Sequence, residues 1–303
     1  MLHNRQALHA WMLAFALCVS APPVLAGPIV TLAHVHGLAY STDGKQLLVP
    51  GHDGLAVYTA GRWSQARGPA YHFNGFSATR DALYSSGHPA PAAGLADPVG
   101  LIKSSDGGKT WQSLGLAGES DFHTLATSFA TNAVYVANRE ANSRMSQPGI
   151  YYTLTDGRTW QRGADQGRGY MLHSLAVHPT DPAVVAAATD VGLYLSRDSA
   201  DTFEPLVGDR VVITAGFAPD GQHLWFSTYA GAGGALARIA LKAGAKAEDV
   251  TVPALADDAI AYIALNPVRP AEIAIATFKR SVFVSKDRGR TWAQIAQEGA
   301  ANR

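Results

Sequence analysis

The sequence predicts an all-β chain folded as a six-bladed β-propeller, with seven blades as the alternative, and three observations lead to this prediction. An eight-residue motif recurs, units of four short apolar or alternating runs begin every 38 to 50 residues, and residues 27–296 lack helical periodicity. Units of this size with four strands each are typical of propeller blades. Since each such unit packs only against its neighbours, we expect one ring-shaped domain.

Residues 1–26 are predicted to be a secretory signal peptide. An apolar run over 10–21 precedes Val24 and Ala26, which put small residues at the −3 and −1 positions of a cleavage site. The run is shorter than the roughly 20 residues that cross a bilayer as a helix. We therefore expect a propeller over 27–303 that is periplasmic or secreted and is not inserted into the membrane.

Composition excludes several functions for this predicted mature chain. The single cysteine, Cys18, lies in the signal, so neither a disulfide nor a thiolate metal site can form after its removal. The formal net charge of the full sequence is +0, and only 16% of its residues are charged. Without a basic stripe, we expect no nucleic-acid partner.

The recurring motif has the pattern Ser-x-Asp-x-Gly-x-Thr-Trp. It is complete at 104–111 and 285–292, weaker at 196–203, and present at 156–160 in a form that is one residue shorter. Asp and Ser side chains bond the backbone of tight turns, and Gly adopts the positive φ that other residues resist. We interpret each copy as a structural turn, and not as a source of catalytic Asp residues.

Six units follow from aligning the first predicted strand of each repeat. They begin near His34, His72, Asp121, Met171, Val211 and Ala259. The first unit has 60–63 in place of the motif. The fifth has lost it, and its loosely patterned segment at 242–253 is what leaves seven blades open.

The aligned strand starts carry most of the histidines. One position of the alignment holds His36, Asn74, His123 and His173, and the position two residues earlier holds His34, His72, Asp121 and Met171. Residues two apart lie on the same side of a strand. His52 and His88 fall in the links between second and third strands, which return to the same face. Of 11 histidines, two lie in the signal, and only His178 and His223 of the rest are placed elsewhere.

Three interpretations of this histidine-rich face stay open. Neutral imidazoles at one level could bind a transition metal, with copper or zinc favoured because no cysteine is available. The predicted metal ligands are His36, His123, His173, His34 and His72. A polar pocket could instead bind a small ligand or a peptide, with Asn74, Asp121, Met171, His52 and His88 on its surface. The third interpretation is structural hydrogen bonding within the ring. Imidazole nitrogens about 4–5 Å apart would favour metal.

Two long loops on this face, 87–98 and 138–148, could form the contact surface for an exported partner protein. An enzyme is the less favoured alternative. Sialidase chemistry needs an arginine cluster and a Tyr–Glu pair that the strand starts do not provide, whereas Asp121 near His123 could act as a base in another glycoside hydrolase-like enzyme.

The chain resembles exported bacterial BNR/Asp-box repeat proteins, which are often labelled glycosyl hydrolase or exo-sialidase. The resemblance rests on the motif copies and on 34–39, 86–89, 100–104 and 121–123. It is more distantly similar to the photosystem II assembly-factor and sortilin-type propellers, which bind proteins and are not catalysts. The resemblance implies a propeller whose motif turns join the third and fourth strands of a blade, and it implies export. It supplies no catalytic residues, so we expect a protein that binds a metal or a partner, or an assembly scaffold.

Overall fold

The computed structural model describes residues 30–167, 171–231 and 233–301, and these contain strands and turns but no helix. They form six antiparallel sheets, in each of which the strands are adjacent in sequence order. This arrangement confirms the all-β, six-bladed β-propeller, and the seven-bladed alternative is wrong. The predicted signal peptide at 1–26 lies outside the described residues.

The strands of the first three blades are short and lie consecutively along the chain. Blade 1 comprises β1 (Ala39–Tyr40), β2 (Leu47–Gly51), β3 (Gly54–Thr59) and β4 (Arg62–Gln65). Blade 2 comprises β5 (His72–Ala78), β6 (Leu83–His88), β7 (Leu101–Ser104) and β8 (Gln112–Gly115). Blade 3 comprises β9 (Leu125–Thr127), β10 (Val134–Asn138), β11 (Gly149–Thr153) and β12 (Gln161–Arg162).

The last three blades repeat this plan. Blade 4 comprises β13 (Leu172–Val177), β14 (Val185–Thr189), β15 (Gly192–Ser196) and β16 (Glu204–Gly208). Blade 5 comprises β17 (Val211–Phe217), β18 (His223–Tyr229), β19 (Gly234–Ala240) and β20 (Glu248–Val250). Blade 6 comprises β21 (Ile260–Leu265), β22 (Ile273–Thr277), β23 (Val282–Ser285), β24 (Ala293–Gln297) and β25 (Ala300–Ala301). The loosely patterned segment 242–253 thus supplies the fourth strand of blade 5.

Apolar side chains form a separate core between each pair of neighbouring blades. The second strand of a blade contributes to two of these cores, because its successive side chains point to opposite faces of the sheet. In blade 4, Ala186 packs toward blade 5, whereas Val185 and Ala187 pack toward blade 3. All three are fully buried, which explains why second strands read as continuous apolar runs in the sequence.

The ring is closed between blades 6 and 1 by both ends of the described chain. Thr31 forms an antiparallel bridge with Ala300, and the Leu32 amide donates to the Gly299 carbonyl at 2.7 Å. The Trp63 indole in blade 1 donates to the Ile295 carbonyl in blade 6 at 2.8 Å. These contacts hold the segment before β1 against blade 6, so its side chains reach the mouth of the central channel.

The motif turns join the third and fourth strands of their blades at the end opposite the histidines. In blade 2, Asp106 accepts hydrogen bonds from the Thr110 amide at 2.9 Å and the Thr110 hydroxyl at 2.7 Å. The Ser104 hydroxyl accepts from the Gly108 amide at 2.8 Å. The hydrogen bond from the Thr110 amide, followed by the one from its hydroxyl, is the main reason that the pKa of Asp106 is lowered to about 2. The carboxylate is therefore a permanent acceptor within the turn, as the structural interpretation requires.

The copy in blade 3 is aligned differently from the sequence prediction. The Gly157 amide donates to the Thr153 hydroxyl at 3.0 Å, and the Thr159 amide donates to the Thr155 hydroxyl at 3.0 Å. Thr153 and Thr155 thus replace the Ser and Asp of a full-length turn, so the shortened form over 156–160 is wrong. Asp156 bonds instead to the Tyr84 hydroxyl of blade 2 at 2.7 Å.

Candidate functional site

The entry to the central channel is formed where the first strands begin and where the second strands turn into the third. In blade 1, Gly51 and Gly54 are paired, which leaves His52 and Asp53 as a two-residue turn. A Cβ atom on Gly51 would lie 2.4 Å from the His34 carbonyl oxygen. This close backbone approach is possible only for glycine, and it places His52 directly beside the segment that carries His34 and His36.

Three imidazoles stack at this entry, and we name His34, His36 and His52 the three-histidine group. The ring centroid of His52 is 3.9 Å from that of His34 and 4.7 Å from that of His36. One ligand nitrogen from each ring lies within 4.8 Å of the other two, a spacing that could hold a metal ion. This meets the distance expected for metal ligands from the sequence.

Two rings of the group, those of His36 and His52, are held in the neutral form by their surroundings. Burial, followed by the charges of His52, His34 and His123, lowers the pKa of His36 to about 4, against an opposing effect of Asp121. Burial, then His34, also lowers the pKa of His52. The Nε2 atom of His36 is buried and has no hydrogen-bond partner. A neutral ring with an unpaired buried nitrogen is able to coordinate a metal.

A second group continues around the mouth through blades 2 and 3. His72 lies 5.0 Å from His52 between ring centroids, and it is paired across the sheet with His88. Asp121 Oδ2 lies 2.8 Å from His123 Nε2, 3.3 Å from His88 Nε2, and accepts from the Asn74 amide at 2.7 Å. Three predicted site residues therefore contact one carboxylate oxygen, which belongs to a fourth.

The second group differs from the first because it contains negative charge. Burial lowers the pKa of His88, but the hydrogen bond to Asp97 at 2.5 Å and the charge of Asp121 outweigh burial, so the net shift is upward. Burial likewise raises the pKa of Asp121, and the hydrogen bond and charge of His123 outweigh it, so the net shift is downward. The group is therefore a hydrogen-bonded set of polar side chains around the Asp121 carboxylate.

The channel below the mouth contains a cavity of about 450 Å³. His36, His123 and His173 line it together with apolar residues of the first strands. These three histidines, predicted to lie at one level, thus line the same cavity. His173 is not a member of the three-histidine group. Met171 has 61% of its surface exposed.

The alignment of first strands therefore placed on one face histidines that the structure also brings near one another, but it could not show which of them are in contact. His34 and His36 join His52, which the sequence placed on the general ligand-binding face. Asp97 had no assigned role, and its contact with His88 depends on the path of the 87–98 loop.

A membrane-spanning helix is not found in the part of the chain that the structure describes.

Comparisons with known proteins identify the class of fold. No protein-family model and no curated protein matches the chain. Among solved structures, it is similar to the GH74 enzyme of Niastella koreensis, with 15% identity, a TM-score of 0.60, and coverage of 88% of this chain but 46% of that one. It is similar to YCF48 bound to D1 peptide, with 18% identity, a TM-score of 0.52, and coverage of 87% and 81%.

A third similar structure is the β-propeller domain of Cps50 (Swd1) from Myceliophteria thermophila, with 11% identity, a TM-score of 0.55, and coverage of 86% and 85%. At these identities the likeness establishes the fold alone. The chain is a β-propeller with a histidine-lined channel mouth. It spans less than half the length of the GH74 chain, so that enzyme's activity cannot be transferred.

Proposed function

We propose that this chain is an exported, non-catalytic propeller that binds a copper or zinc ion at the mouth of its channel through His34, His36 and His52. The observation behind the proposal is the convergence of three ring nitrogens within 4.8 Å of one another. Zinc–nitrogen bonds are about 2.0–2.1 Å long. Small side-chain adjustments would therefore bring the three ring nitrogens from their present spacing to the spacing they need around one zinc ion.

The donor set supports copper or zinc over other biological metals. Imidazole suits zinc and copper, whereas magnesium and calcium prefer oxygen ligands. The unpaired Nε2 of His36 would gain a ligand bond, and its lowered pKa removes competition from protons near pH 7. Three protein ligands leave one tetrahedral position open, an arrangement suited to exchange of a bound ion or small ligand.

The test is calorimetric titration of Zn²⁺ and Cu²⁺ into the purified 27–303 chain after chelator treatment. We expect one equivalent to bind, and expect His36→Ala or His52→Ala to abolish stoichiometric binding. The matched control is His223→Ala, because His223 is a partly exposed histidine at the other end of a blade. Equal binding by the control and the His52→Ala variant would contradict the proposal.

Binding of an exported partner protein is the second candidate, and exposed apolar residues at the same mouth favour it. Five large side chains lie in the links and strand ends on this face, namely Leu95, Met171, Val191, Tyr229 and Phe278. Exposed apolar groups beside polar ones are typical of interaction sites. The similar YCF48 structure contains a bound D1 peptide, which gives a propeller precedent for peptide binding.

This candidate predicts an exported protein that co-purifies with the chain and is lost when the loops at 88–98 and 138–148 are shortened. A double substitution, Tyr229→Ser with Phe278→Ser, should also release the partner without unfolding the propeller, because 42% of Tyr229 and 64% of Phe278 are solvent-exposed. Retention of the partner by both variants would place its contact elsewhere. Export itself is tested by the N-terminus of the purified protein, which should be Gly27.

A further inference from the structure

A second recess adjoins the three-histidine group, and its walls carry positive charge. Its volume is about 480 Å³, and it lies between the segment preceding β1 and the link from β22 to β23. His34 and His36 form one side, and Lys279 and Arg280 belong to the other. His36 also lines the axial cavity, so the recess opens beside the proposed metal position.

The two cations are held in place by carbonyl groups and not by acids. Lys279 donates to the Ala256 carbonyl at 3.1 Å, and Arg280 donates to the Ala33 carbonyl at 3.0 Å and the Glu298 carbonyl at 3.5 Å. Within the described parts of the chain, neither forms an ion pair with a carboxylate. Their charges remain available to an anion that enters the recess.

The charge of the whole recess is positive. Among the described residues that line the recess, Glu298 is the only acidic one, so with neutral imidazoles these walls sum to +1 from two cations and one anion. A divalent ion on the three-histidine group would raise this sum to +3. A bound metal is the largest local charge at such a site, and it attracts an oxygen ligand to its open position.

The remaining walls select for a flat apolar group. Tyr262 and Phe278 both line the recess, and Phe278 is 64% exposed at its edge. Aromatic faces of this kind pack against planar rings with a preference for offset or edge-to-face geometry. A volume of about 480 Å³ is in the range of small-molecule sites.

We propose that this recess binds a small aromatic carboxylate, whose carboxylate becomes the fourth ligand of a metal held by His34, His36 and His52. Lys279 and Arg280 attract the carboxylate, and Phe278 packs against the ring. The metal-ligand part rests on the proposed metal-binding function. The pocket and its charges do not depend on that function.

The experiment uses 4-fluorobenzoate as the probe, with ¹⁹F NMR to measure its binding to the 27–303 chain in zinc-loaded and metal-free forms. We expect zinc to tighten binding by about tenfold or more. The neutral isostere 4-fluorobenzamide should bind more weakly than the carboxylate. Lys279→Gln should weaken binding of the carboxylate about three- to fivefold, and Phe278→Ala about three- to tenfold.

Matched controls lie on the opposite face. Lys286→Gln removes an exposed lysine in the motif turn of the same blade, and Leu154→Ala removes an exposed apolar side chain. Neither should change binding. Equal binding of carboxylate and amide, or no effect of Lys279→Gln, overturns the pocket. Equal affinity with and without bound zinc overturns only the fourth-ligand role, and failure of zinc to bind at all overturns the metal function separately.

Discussion

Acidification should destabilise the metal-free protein through His36, and the size of the effect follows from its environment. The fold lowers the pKa of His36 from 6.5 to about 4, chiefly by burial, so the unfolded chain takes up a proton at a pH where the folded chain does not. Folding stability therefore rises with pH between these two values. The part of the folding stability that depends on neutral His36 is fully present above pH 6.5, and it is lost progressively as the pH falls toward 4.

The magnitude at pH 5 can be worked from the shift. About 1.5 units separate pH 5 from the unfolded pKa, which corresponds to about 2 kcal/mol of lost stability. Because His36 is only half-buried, solvent screening reduces this to about 1 kcal/mol. Burial sets the sign of the shift. The charges of His52, His34 and His123 also oppose protonation of His36, and Asp121 favours it more weakly.

Urea unfolding of the chelator-treated protein at pH 7.5 and pH 5 measures this effect. His36→Gln removes the titrating group, so its loss of stability between the two pH values should be smaller than that of the wild type by about 1 kcal/mol. His223→Gln is the matched control and should lose as much stability as the wild type. An equal loss in the His36→Gln variant would refute the reasoning that burial keeps this ring neutral.

Three further predictions concern the turn, the mouth and the carboxylate. Ser285→Ala should lower stability by about 1–3 kcal/mol, seen as a reduced Tm with zinc stoichiometry retained, because a fully buried hydroxyl that accepts from the Gly289 amide is lost; an unchanged Tm would contradict this. Gly51→Ala should reduce zinc affinity about ten- to hundredfold in calorimetry by displacing the His34 backbone, whereas Gly208→Ala, with open space around its Cβ position, should not. Asp121→Asn should cost about 1–2 kcal/mol at pH 7 in urea unfolding and keep stoichiometric zinc; its stability should also fall less than that of the wild type on acidification, because the lowered pKa of Asp121 makes the carboxylate stabilising above that pKa and the contribution is lost below it.

Much of the fold could be predicted because its determinants are local. A Ser-x-Asp turn closes on its own backbone, and a second strand buried on both faces is mostly apolar, so both leave a pattern in the sequence. The blade 3 turn was misaligned because Thr155 replaces Asp with a different side chain that makes the equivalent bond to the Thr159 amide. Hydrogen-bonding capacity, and not residue identity, defines that position.

The site was only partly predictable because distances around a ring are not local. Alignment of strand starts placed the histidines on one face, but it could not show that the two-residue turn at Gly51 folds His52 onto His34. The cations of blade 6 were missed for a related reason. Lys279 and Arg280 lie in a link between second and third strands, but they stand beside His34 and His36 only because ring closure places the first blade next to the last, more than 200 residues away in sequence.

Anomalous diffraction at the zinc absorption edge, from crystals of the 27–303 chain grown with one equivalent of Zn²⁺, tests the central claim most directly. The account predicts one peak at the channel mouth, about 2.0–2.1 Å from a nitrogen of each of His34, His36 and His52. A peak coordinated by other histidines, or no peak at all in crystals with an ordered channel mouth, would contradict it.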